Sequence, residues 1–208
     1  MTGSPADAAV GFQLMLVTDR HATLGRDLVD VVAAACRGGV DAVQLRDKDL
    51  SRSARAALLE RLRLHLPAGV RLIVNTDLEL AKATRCGLHL PAGVAWPAGE
   101  RPHPTGCSVH GEQETKNALD EQPDYILFGH VYDTPSHPHE PGRGVAALRA
   151  VVVLAGAVPV IAIGGIESHR VAELRSTGVA GVAVRRTLLE ASDPERAARA
   201  LRAAWDGR

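Results

Sequence analysis

Several polar residues in this chain end short apolar runs, where they could do chemistry. The run Tyr125-Ile126-Leu127-Phe128-Gly129 closes on His130. An imidazole is the one side chain whose ordinary pKa lets it take up and release protons near neutrality, so His130 is a candidate acid and base. A histidine there could equally be a half-buried residue held by hydrogen bonds. Gln44-Leu45-Arg46-Asp47-Lys48 closes another run, its alternation putting Gln44 and Arg46 toward one face, with Lys48 following in the loop. Asn75, His89, Ser108 and His110 stand at similar places. Ile163-Gly164-Gly165-Ile166 leads into a helical pattern, and Val184-Arg185-Arg186-Thr187 ends the last run. Glycines let a backbone approach a ligand closely, and a helix start offers unpaired N–H groups, so Gly164 and Gly165 with Arg185 and Arg186 read as a phosphate site.

Eight apolar runs carry these residues: Gln13–Thr18, Ala42–Leu45, Leu72–Asn75, Gly87–Leu90, Gly106–Val109, Tyr125–Phe128, Val158–Ile163 and Gly181–Val184. Between them, apolar residues recur at three- and four-residue spacing, as in Leu28, Val29, Val32, Ala33 and Cys36 ahead of Gly38-Gly39. The same pattern recurs at Ala54–Leu66, Leu78–Thr84, Glu112–Leu119, Ala146–Ala155, Ser168–Ser176 and Pro194–Trp205. Buried strands alternating with helices predict an α/β fold, a single-domain (β/α)8 barrel of eight parallel strands, whose carboxyl ends would carry the site. The segment from Pro91 to Pro104 is too rich in Pro and Gly for more than a turn of helix, and whether it forms a lid is open. Residues 1–12 read as a flexible N-terminal extension.

Composition limits the partners. Of the 208 residues, 24 are Lys or Arg and 24 are Asp or Glu, so no long-range positive field gathers nucleic acid or an anionic membrane. The start of the chain lacks the basic and apolar regions of a secretory signal, and Gly156 and Pro159 interrupt the longest uncharged stretch, Ala150 to Ile166; the expected location is cytoplasmic. Cys36, Cys86 and Cys107 are widely spaced with no CxxC, which suggests inert thiols rather than disulfides or a zinc site. A homodimer stays open.

Val43-Gln44-Leu45-Arg46-Asp47-Lys48, Asp124 to Val131 and Pro159 to Ile166, in this order and spacing, resemble the thiamine phosphate synthase superfamily from about Leu14 to Trp205. The resemblance implies one of two activities: a synthase that joins a pyrimidine diphosphate to a thiazole phosphate with magnesium, or a tautomerase that rearranges the thiazole phosphate. The synthase pattern has Asn-Asp closing strand three and an acidic run after strand four. Here those positions read Asn75-Thr76 and Pro91-Ala92-Gly93-Val94. Magnesium needs hard oxygen ligands, usually including carboxylates, so no metal and no other cofactor is expected. Asp77 could supply a ligand by a one-residue shift or could cap the next helix. The synthase's lysine in the loop after strand six is also missing from Thr134-Pro135-Ser136-His137-Pro138-His139.

His89-Leu90-Pro91, Ser108-Val109-His110, Phe128-Gly129-His130 and Gly142-Arg143-Gly144 match the tautomerase branch. That resemblance implies a small-molecule thiazole phosphate substrate, His130 as proton shuttle, and Gln44, Arg46 and Lys48 orienting the thiazole carboxylate. Asn75, Ser108, Gly164, Gly165, Arg185 and Arg186 complete the expected binding set. The alternatives are a divergent magnesium-dependent synthase and a non-catalytic phosphate-ligand binder on the same barrel.

Overall fold

The computed structural model describes residues 10–207. Eight strands close into a parallel barrel in sequence order: β1 Leu14–Val17, β2 Ala42–Leu45, β3 Arg71–Asn75, β4 Gly87–Leu90, β5 Thr105–Val109, β6 Tyr125–Gly129, β7 Val160–Ile163 and β8 Gly181–Val184, with β8 pairing back to β1. The strand ends have local causes. Asp41 accepts the Gln13 and Leu14 amides, which removes Gln13 from the expected first strand. Val158 N–H turns back to Ala155 and Pro159 has no N–H, so β7 begins at Val160.

The helices are α1 Leu28–Arg37, α2 Arg52–His65, α3 Leu78–Thr84, α4 Glu112–Asp120, α5 Gly144–Ala155, α6 Val171–Arg175, α7 Arg186–Leu189 and α8 Pro194–Asp206. Side chains of Asp27, Ser51, Asp77 and Asp193 cap α1, α2, α3 and α8 by accepting first-turn N–H groups. The expected helix at 168–176 is instead a 3₁₀ turn, Ser168–Arg170, running into α6. The segment between β4 and β5 holds no helix.

The core has two parts. The larger cluster lies between strands and helices, and the smaller fills the barrel lumen with Met15, Ala42, Ile73, Tyr125, Leu127 and Ile161 among others. Val10 and Phe12 are buried in that lumen cluster, and Phe12 meets Tyr125 edge-on at 5.4 Å. Val10 and Phe12 are therefore part of the barrel floor rather than of a flexible extension, because their apolar side chains close it; residues 1–9 lie outside the described residues. Cys36, Cys86 and Cys107 are buried and free, and burial pushes the thiols of Cys36 and Cys107 up to about 12. Among the described residues no helix is long and apolar enough to cross a membrane.

Candidate active site

The lumen changes character with height. Its floor is apolar, while the same inward-facing positions nearer the strand ends carry Gln44, Asn75, His89 and Ser108, which open into a cavity of about 790 Å³. The cavity also takes in Arg46, Lys48, His110, His130, Gly164, Gly165, Arg185 and Arg186, so the expected proton shuttle and the whole expected binding set line one space. The strand pleat explains this: each of these residues lies at or just beyond a strand's carboxyl end.

His130 is 5% exposed, and its Nε2 lies 3.2 Å from the Glu140 carbonyl oxygen. A carbonyl only accepts, so in the neutral ring Nε2 carries the proton and Nδ1 holds the lone pair. The ring stacks on His137 with centroids 4.6 Å apart and planes within 5°. Desolvation first, and His130 second, lower the pKa of His137. The loop from Val131 to Arg143 that brings His137 there is tied at both ends: Arg143 N–H donates to the His130 carbonyl, Gly142 N–H to Asp133, and Arg185 to Ser136. Sequence reasoning did not single out His137; its signal was the pair of histidines in Ser136-His137-Pro138-His139.

The cavity wall near β2 is cationic. Arg46 is half-buried with its pKa lowered, first by burial and then by Arg185, and Lys48 is lowered first by Arg46 and then by burial. Like charges held this close favour an anion between them. Gln44 and Asn75 are linked, Asn75 Nδ2 donating to Gln44 Oε1 at 3.4 Å.

Two expectations about the phosphate site change. The Arg185 guanidinium pairs with Asp19 and Ser136, and Arg186 pairs with Glu190 at 2.6 Å, so neither side chain is free in this arrangement. The glycines also have another reason to be glycine. A Cβ on Gly164, whose φ is +104°, would lie 2.2 Å from His130 Cβ, and one on Gly165 would lie 2.6 Å from the Asp133 carbonyl oxygen. Both glycines are required by the packing of the His130 segment. What the two loops do offer is backbone: among the described residues the N–H groups of Gly164, Gly165, Ile166, Arg186 and Thr187 donate to no other group. Such a set suits an anion.

The donors that magnesium would need are not at the β3 and β4 ends. Thr76 takes a left-handed φ of +70°, and Asp77 behind it caps α3 through Leu80 N while accepting Arg52 Nε at 2.8 Å and Arg55 Nη2 at 2.9 Å. Desolvation pushes the Asp77 carboxyl up, yet these bonds outweigh it and hold its pKa below the ordinary value. Asp77 does not line the cavity, whose carboxylates Asp133, Glu167 and Glu190 come from the loops after β6, β7 and β8. A different cluster, His130, His137 and Glu140, has ligand atoms within 4.8 Å of one another. Its parallel rings point their in-plane lone pairs along separate planes, and two imidazoles are a set for softer ions than magnesium.

The fold is a (β/α)8 barrel with a cationic, amide-lined cavity at its carboxyl mouth, the end where barrels of this class carry their sites. Residues 14–188 match the family model described as thiamine monophosphate synthase, and the chain belongs to that family. It is 39% identical over 203 residues to a putative thiamine-phosphate synthase of Geobacter sulfurreducens, covering 93% of this chain and 94% of the relative. It is 35% identical over 198 residues to a thiamine-phosphate synthase of Thermus thermophilus, covering 93% and 96%. Among solved structures, the thiamine phosphate pyrophosphorylase of Pyrococcus furiosus superposes with a TM-score of 0.83 at 26% identity, covering 96% of this chain and 98% of that one.

Proposed function

We propose that this thiamine-biosynthesis family member is a metal-independent thiazole phosphate carboxylate tautomerase. The observation that carries the reading is the fate of Asp77: it is bound to Arg52, Arg55 and the α3 N-terminus, outside the cavity, so the β3–β4 side presents no carboxylate for magnesium. The cavity keeps what a proton relocation needs. His130 Nδ1 takes the proton from the ring C2, the double bond moves into the ring, and the same nitrogen returns a proton to the exocyclic carbon. C–H and N–H bonds break and form in equal number, and the product gains aromaticity. The amides near Gly164–Ile166 and Arg186–Thr187 hold the phosphate; Arg46 and Lys48 face the carboxylate and stabilise charge as the ring is deprotonated.

A second reading is favoured by the names of the relatives, which are those of synthases. It would have the protein condense a pyrimidine diphosphate with the thiazole phosphate. One experiment separates the two: both reactions are assayed after exhaustive chelation and again with added magnesium. Tautomerisation that survives chelation supports the proposal, whereas condensation that appears only with magnesium sinks it.

A further inference from the structure

His89 belongs to the cavity wall but makes no contact that the proposed reaction uses. It is 1% exposed, with Nε2 2.9 Å from Ser108 Oγ and Nδ1 2.9 Å from Tyr125 Oη. Tyr125 is fully buried in the lumen beneath it and is not itself part of the cavity lining. The arrangement is built: Gly106, the register partner of both His89 and Tyr125, has no Cβ because one would lie 2.3 Å from the tyrosine ring, and the His89 and Tyr125 rings stack at 5.7 Å.

The hydrogen positions follow by elimination. Among the described residues the Tyr125 hydroxyl has His89 Nδ1 as its one partner. A buried hydroxyl that donated to nothing would be costly, so Tyr125 donates and Nδ1 accepts. The neutral imidazole then carries its proton on Nε2 and donates it to Ser108 Oγ. With that oxygen's acceptor role taken from below, the Ser108 proton is left to point into the cavity. The opposite tautomer would strand the tyrosine proton.

We infer that the His89–Tyr125 pair is a positioning device that makes Ser108 a committed hydrogen-bond donor, so that the site selects a ligand with an acceptor atom, an anionic oxygen or a ring lone pair, opposite Ser108. This deepens the proposed function and rests on its placing the substrate in this cavity. Its consequence is that a phenol hydroxyl outside the cavity controls affinity inside it. Burial of the whole chain also keeps His89 neutral, which preserves the tautomer as pH falls.

The test is a double-mutant cycle with the aromatic thiazole phosphate carboxylate as probe. Tyr125→Phe keeps the ring and removes the hydroxyl; it should raise Kd and KM about tenfold while leaving kcat nearly unchanged, as loss of one uniform hydrogen bond does. Ser108→Ala should do the same, and the double variant should be no worse than either single one. Additive effects, or unchanged affinity in Tyr125→Phe, overturn the inference. Nitrogen-15 NMR of the histidines in the ligand-free wild type decides independently, even if Tyr125→Phe does not fold: His89 protonated at Nε2 supports it, and protonation at Nδ1 overturns it. Wild-type protein that shows the Nε2 tautomer yet does not bind the probe counts against the tautomerase reading alone.

Discussion

One carbonyl oxygen decides which nitrogen of His130 can act as a base. The Glu140 carbonyl accepts from Nε2, so Nδ1 is the lone pair available for a ring proton, and the parallel His137 ring holds the imidazole in place. His130→Asn keeps size and polarity but exchanges no proton near neutral pH. It should lower kcat for tautomerisation by a factor on the order of 10²–10⁴ with little change in KM, because general acid–base catalysis contributes about that much and the phosphate is anchored elsewhere. Steady-state kinetics check this; a variant with near wild-type kcat would move the shuttle to another residue. His110, half-exposed at the cavity edge, is already engaged by Glu114 at 3.0 Å, and its replacement should cost far less.

At the scale of elements, strand ends and loops divide into what a sequence can and cannot show. The residues lining the cavity were legible because the strand pleat and the rule of carboxyl-end sites fix them locally: Gln44, Arg46, Asn75, Ser108 and His130 needed only the apolar runs to be placed. Side-chain commitments were not legible. That Arg185 turns to Asp19 and Ser136, that Arg186 closes an i,i+4 pair with Glu190 just past the four-residue α7, and that Tyr125 supports His89 from the lumen all depend on neighbours distant in sequence or on an unmarked helix. Sequence favours Asp77 as a helix cap over a metal ligand, and the α2 arginines that hold it outside the cavity lie 25 and 22 positions earlier. Asp77→Ala should therefore cost stability, about 1–2 kcal/mol for a lost cap, and leave turnover under chelation unchanged, as denaturant melts and assays would show. A matching loss of turnover at unchanged stability would return Asp77 to the site. Gly164 makes the converse case. Its positive φ and the 2.2 Å approach to His130 Cβ leave no room for a methyl group, so Gly164→Ala should destabilise by about 1–3 kcal/mol and displace the base. A drop in kcat would report the displacement, and full activity would refute it.

For the whole molecule, closing the sheet into a barrel turns the lumen into a graded solvent, apolar at the floor and polar at the mouth, and His89 sits where the two meet. Burial, with a smaller contribution from Arg46, lowers its pKa from 6.5 to about 3. The unfolded chain takes up a proton on this group as pH falls through 6.5, while the folded chain refuses it until about 3, so the unfolded state gains binding free energy across that window. The stability that comes from holding His89 neutral is thus complete above about pH 6.5 and is lost as pH falls toward 3, by an amount on the order of 5 kcal/mol at about 1.36 kcal/mol per pKa unit. Carboxylates add their own acid dependence, so the informative quantity is a difference between proteins. Denaturant unfolding of wild type and His89→Gln should be compared at about pH 7 and about pH 4, on either side of most of that window. The variant should be less stable at the higher pH, because it disrupts the Tyr125–Ser108 link, yet should lose several kcal/mol less on acidification. Stability curves that run parallel between the two pH values would mean that His89 is protonated in the folded barrel, and that the lumen at this height is wetter than its side chains imply.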